Sequence, residues 1–248
     1  MNIKKLFAVL VCFGALSACS HSPSTSVVAR NPSGETSPAP VAENNKLGTA
    51  WGENVSSEVT TVQATRRYQS PQGFVSVYYS AQQPSQRRKV NYIPLASVDM
   101  QVQSTTARNI PLFSYRNGAF TFSANDGEGY QLAFYNSSST KTYEVVATVD
   151  GLDVLSGRPG SLSQSGYIVY PKERLEIKGF RKSDSAVAAF RFAKPDKSYA
   201  ANSVSGDKDN TGVIGVAVFE MENASLPDCQ PQAFPSDSRY AAPPCKKK

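Results

Sequence analysis

Apolar and polar residues alternate with period two repeatedly between Phe74 and Phe219, and that pattern restricts what the chain can fold into. In SVDMQVQ, Val98, Met100 and Val102 alternate with Asp99, Gln101 and Gln103. In GYQLAFYN, Tyr130, Leu132 and Phe134 share a face, and in TYEVVATV, Tyr143, Val145, Ala147 and Val149 do. RLEIKGF points Leu175 and Ile177 one way and Arg174, Glu176 and Lys178 the other. Side chains alternate across a pleated strand, so such runs read as half-buried β-strands. FVSVYYS and GYIVYP add further strands, the latter stopped by Pro171. GVIGVAVF, Gly212 to Phe219, is apolar throughout and suits a strand buried on both faces. SDSAVAAFRFAK carries a serine able to cap a helix. Ala188, Phe190 and Phe192 nevertheless alternate with Ala189 and Arg191, which favours a strand. NSSSTK, SGRPG and SGDKDNTG supply turn chemistry between the runs. Many short strands so spaced predict an all-β chain folded as an antiparallel β-sandwich. It would span 47–222, as one domain or as two sub-domains at about 47–122 and 123–222.

The ends of the chain read differently. Lys4 and Lys5 precede the apolar run Leu6 to Leu16, too short to span a bilayer, and small residues lead into LSAC, Leu16 to Cys19. This is the pattern of a secretory signal peptide. Its last four residues resemble the lipobox of bacterial lipoproteins. The resemblance implies that 1–18 are removed, that the Cys19 thiol receives a diacylglyceryl group and that the new amine is acylated. At about 0.8 kcal/mol per buried methylene, several chains anchor a protein where one does not. Ser20 after the cysteine implies outer-membrane sorting within the cell envelope. Residues 19–46 are rich in serine, proline and asparagine without an apolar period, so a flexible tether is expected, reaching roughly 30 Å as a coil.

Four cysteines occur in the chain. Cys12 leaves with the signal peptide and Cys19 is lipidated. Cys229 and Cys245 are then expected to pair in an oxidising compartment, closing a C-terminal arm over 223–248 and contributing roughly 3 kcal/mol.

Chemistry is constrained by histidine. The only one, His21, lies in the tether. This excludes Ser-His-Asp and Cys-His arrangements and histidine-ligated metals from the folded part. No G-x-S-x-G motif occurs. DKDNTG begins like an EF-hand loop, with Asp207, Asp209 and Gly212 in place. Val218 then stands where a bidentate glutamate belongs, and the match fails. No metal and no cofactor is expected. Asp150 and Asp153, in VVATVDGLDVLSG, look at first like an acid pair. Asp-Gly between alternating runs predicts a type I′ hairpin instead. It sets Val149 opposite Leu152 and Thr148 opposite Asp153, puts Asp150 at the tip, and keeps the two carboxylates from converging. Asp150 then reads as turn punctuation.

Without Lys4 and Lys5, 24 of the 26 basic side chains remain against 20 acidic ones, a net charge of +4. Basic clusters fall at Arg66-Arg67, at Arg87, Arg88 and Lys89, and at the Lys246–Lys248 tail. An envelope location argues against nucleic acid as their partner and for lipid headgroups, lipopolysaccharide phosphates or an acidic partner; solvated surface charge is the simpler reading. Trp51, where the tether ends, offers either a platform for a sugar or an anchor pinning the chain to the sandwich, and the anchor is favoured. Between Gly129 and Phe219, VDGLDVLSG, SGYIVYP, IKGFR, SYAA and GVIGVAVF resemble a recurrent uncharacterised bacterial domain with no established activity. The leading expectation is a non-catalytic outer-membrane lipoprotein, held to the membrane by its lipid, that binds another envelope protein. A glycan or peptidoglycan binder comes second and a histidine-free envelope hydrolase third.

Overall fold

The computed structural model describes residues 41–84, 88–115 and 118–224. The signal peptide, Cys19, His21, most of the tether, Arg87, Cys229 and Cys245 lie outside the described residues.

Sixteen strands are described: β1 Gly48–Ser56, β2 Ala64–Arg66, β3 Gly73–Ser80, β4 Arg88–Val90, β5 Ile93–Leu95, β6 Val98–Ser104, β7 Leu112–Ser114, β8 Phe120–Ser123, β9 Gly129–Asn136, β10 Tyr143–Val149, β11 Leu152–Asp153, β12 Tyr167–Val169, β13 Arg174–Ile177, β14 Gly179–Ser183, β15 Ala186–Ala193 and β16 Val213–Ala224. The described α-helix is one turn, α1, Tyr199–Asn202, capped where the Ser198 side chain accepts from Ala201 N. SDSAVAAFRFAK is a strand, as its alternation predicts.

The strands form two sheets that face each other as a β-sandwich. One has seven strands in the order β1-β15-β9-β6-β5, with β13 beside β9 and β14 beside β15. The other has nine in the order β11-β10-β16-β3-β8-β7-β4, with β12 beside β10 and β2 beside β16. Pairing is antiparallel except between β3 and β8. Strands from before and after position 122 share both sheets: β1 pairs with β15, β6 with β9, and β3 with β16.

One apolar cluster fills the space between the sheets. Tyr130 and Phe192 stack at 4.1 Å and 7°, while Phe190 and Tyr79 lie 5.1 and 5.3 Å from that pair. The unbroken apolar run of GVIGVAVF has a structural reason. Ile214, Val216 and Val218 of β16 enter this core, while Ala217 and Phe219, on the other face, form a small second cluster with Val146. RLEIKGF is not one strand. It divides at Lys178, β13 pairing with β9 and β14 with β15, so the segment wedges where those two strands diverge. Gly179 permits the switch, because a Cβ there would stand 1.9 Å from the Ala188 carbonyl oxygen.

Candidate functional site

The Asp150-Gly151 turn forms as expected, with φ of 51° and 77° and with Thr148 opposite Asp153 and Val149 opposite Leu152. Asp150 is not a solvent-facing tip, however. It is 2% exposed. Its Oδ2 accepts from Thr49 N at 2.6 Å, and its Oδ1 accepts from the Tyr79 hydroxyl at 2.7 Å and from Gly212 N at 2.9 Å. Val213 N adds a longer contact of 3.4 Å. Thr49 Oγ1 lies 2.7 Å from both the Tyr79 and Tyr130 hydroxyls. Because Tyr79 gives its proton to Asp150, the chain runs from Tyr130 to Thr49 to Tyr79 to the carboxylate. Thr49 and Tyr130 belong to the seven-stranded sheet; Tyr79 belongs to the nine-stranded sheet, whose β10–β11 turn carries Asp150. The network therefore ties the two sheets together.

Burial raises the Asp150 carboxyl to about 6, against the opposing effect of its hydrogen bonds. The Tyr79 and Tyr130 hydroxyls are pushed well up by burial, with the Asp150 charge adding to it. Asp153 is also buried, but its Oδ1 serves its own turn, accepting from Ser156 N at 2.7 Å and Ser156 Oγ at 2.6 Å. Among the described residues, the two carboxylates share no hydrogen-bond partner.

Tyr79 and Gly212, two of the groups that hold Asp150, also line a cleft of about 870 Å³ at this end of the sandwich. One wall is the segment 41–47, where the chain enters the domain. Asn45 O accepts from Ala81 N at 2.9 Å, and Lys46 bridges to Ser80, which lays the segment beside the end of β3. The loop after α1 forms another wall. Two ion pairs stand at the cleft: Lys46 with Glu43 at 2.7 Å, and Lys208 with Asp209 at 2.7 Å. Lys208 holds the Asp209 carboxyl below its usual range, and Lys46 contributes to this from the facing wall. Tyr78, Gln82, Thr121 and Asp196 supply further polar groups to the lining.

Asp209 and Gly212 of the DKDNTG loop line this cleft, whereas Trp51, Arg88, Lys89, Arg66 and Arg67 do not. Trp51 lies on β1 with its ring 4.8 Å from Tyr199 and 6.2 Å from Phe180, and it remains 42% exposed. Arg88 and Lys89 are exposed on the short strand β4. Arg66 proves to be no simple surface charge. Its Nε stands 2.5 Å from Glu144 Oε2, and its guanidinium lies 3.7 Å from the centroid of the Phe219 ring. It donates as well to the carbonyls of Leu162 and Gln164, fastening their loop over the second apolar cluster.

The Asp-Gly signal located the turn, but nothing local to it indicates Thr49, Tyr79 or Gly212 as partners of Asp150. The chain matches no family model, no curated protein and no solved structure.

Proposed function

We propose that the protein is a non-catalytic lipoprotein of the bacterial outer membrane, anchored through Cys19, that docks a segment of another envelope protein in the cleft at the end of its sandwich. The observation that carries this reading is the cleft itself. Its volume, about 870 Å³, falls in the range of ligand-binding clefts. Acidic and basic side chains there stand side by side on two facing walls, which suits a polypeptide carrying both signs of charge and unpaired backbone amides.

Docking by strand addition has less support. The longest edge, β1, shifts register between Trp51 and Asn54, where Gly52 approaches the Ala189 carbonyl. Glu53, bound to Arg191 at 2.7 Å, puts charge at that shift. Bulges and charges of this kind blunt an edge against added strands. The edge strands β4 and β5 have three residues each. The non-catalytic part of the reading rests on Asp150, both of whose oxygens enter the network that ties the two sheets together, and on Asp153, whose Oδ1 holds its own turn.

Chemical crosslinking in intact envelopes, followed by capture of the chain and identification of what accompanies it, tests the proposal. A discrete protein should be recovered with the wild type and lost with Lys46→Glu and Lys208→Glu combined. Recovery of glycan alone would overturn it.

A further inference from the structure

The outer face of the seven-stranded sheet holds a second feature, separate from the cleft and argued independently of it. Alternation sends Asp99, Gln101 and Gln103 of β6 outward, beside Gln131, Ala133 and Tyr135 of β9 and Arg174 and Glu176 of β13. The register sets these side chains in rows. Asp99, Tyr135 and Arg174 form one row, and Gln101, Ala133 and Glu176 form the next. Ala133 is the smallest residue of this array, and a depression of about 80 Å³ opens there, walled by Tyr92, Tyr135, Asp99, Gln101 and Arg174. Tyr92 is 47% exposed.

Polar groups around the depression keep hydrogen-bonding capacity for a ligand. Among the described residues, no hydrogen bond or ion pair engages the Asp99 carboxylate, and partial burial raises its pKa. Arg174 has no ion pair among them either; its guanidinium lies 5.1 Å from the centroid of the Tyr135 ring. Gln131 donates to Gln103 at 3.1 Å, and Gln103 donates to Gln101 Oε1 at 3.2 Å. This line of amides leaves the Gln101 NH₂ as a donor beside the depression. One acceptor, two donors and two tyrosine rings thus surround a small apolar floor.

A hexopyranose matches this set. Its C–H faces pack on aromatic rings, whose faces are electron-rich. Its neighbouring hydroxyls donate to a carboxylate and accept from an amide or a guanidinium. A net charge on the ligand is disfavoured, because an anion meets Asp99 and a cation meets Arg174. We propose that this face of the sheet is a binding site for a neutral glycan, which seats one sugar ring over Ala133 between Tyr92 and Tyr135.

Calorimetric titration of the full chain with cellohexaose and with chitohexaose tests this. The wild type should bind at least one of the two saturably. Ala133→Leu, which fills the floor, and Tyr135→Ala should each weaken binding by about tenfold or more, while Gln82→Ala, in the end cleft, should leave it unchanged. Arg174→Ala alters an exposed side chain, serves if either of the first two fails to fold, and should also weaken binding. Absence of saturable binding to both hexasaccharides would overturn the proposal, as would binding indifferent to all three substitutions on the sheet face.

Discussion

Asp150 shows how much one residue can hold. Its position in an Asp-Gly turn was readable because the constraint is local: positive φ at two successive residues favours Asp and Gly. Its burial was not readable, because the groups that bury it come from β1, from the end of β3 and from the start of β16, far away in the chain. The consequence is a pH dependence with a definite sign. The folded protein holds the Asp150 proton up to about pH 6, whereas an unfolded aspartate releases it near 3.8. Between those values the native state binds more protons than the unfolded state, so stability falls as pH rises through the window and levels off above it. The fall is about 3 kcal/mol at 1.36 kcal/mol per pKa unit. Urea unfolding at intervals from pH 4 to pH 7 should show this fall in the wild type and its loss in Asp150→Asn, which keeps the turn but does not titrate. Parallel pH profiles for the two proteins would contradict the assignment. Asp153→Asn should be mild, since the amide oxygen can still accept both bonds from Ser156.

At the scale of elements, period two identifies the buried face of β6 and of β9. Val98, Met100 and Val102 point inward as expected, and so do Tyr130, Leu132 and Phe134. At RLEIKGF it sorts the faces correctly, with Leu175 and Ile177 toward the core and Arg174 and Glu176 exposed, but alternation carries no information about which neighbour a strand joins, and the division at Lys178 depends on the divergence of β9 from β15. Charge was the least legible property. Arg66 and Arg67 look alike in the sequence, yet the Arg66 side chain is 16% exposed and pinned to Glu144, while Arg67 is 54% exposed. Arg66→Ala would leave Glu144, itself 8% exposed, without its guanidinium, and a loss of about 3 kcal/mol or more is expected. Adding Glu144→Gln should recover part of it, because the unpaired buried charge is then gone. Denaturant unfolding of the two variants measures both effects. A cost below about 1 kcal/mol for Arg66→Ala would place this pair among ordinary surface ion pairs.

At the scale of the whole molecule, the sandwich presents two surfaces of different chemistry. The end cleft carries the ion pairs Lys46–Glu43 and Lys208–Asp209 and lies where the chain enters the domain; the sheet face offers two tyrosine rings beside Asp99 and Arg174. We propose the cleft for a protein partner and the sheet face for a glycan. Anchoring is testable by itself: metabolic palmitate labelling should mark the wild type and disappear in Cys19→Ala, and label persisting in the variant would remove the lipid from the account. Neither surface was legible in the sequence, since both are assembled from residues that only the sheet register and the loop positions bring together. Docking in the end cleft is the central claim. Its most direct test is a photo-crosslinking amino acid placed at Gln82, in the cleft, and in parallel at Tyr68, an exposed position that does not line it. Irradiation of intact envelopes should join the Gln82 derivative, and not the Tyr68 derivative, to one discrete protein. Equal yields from both positions, or no protein adduct from Gln82, would contradict it.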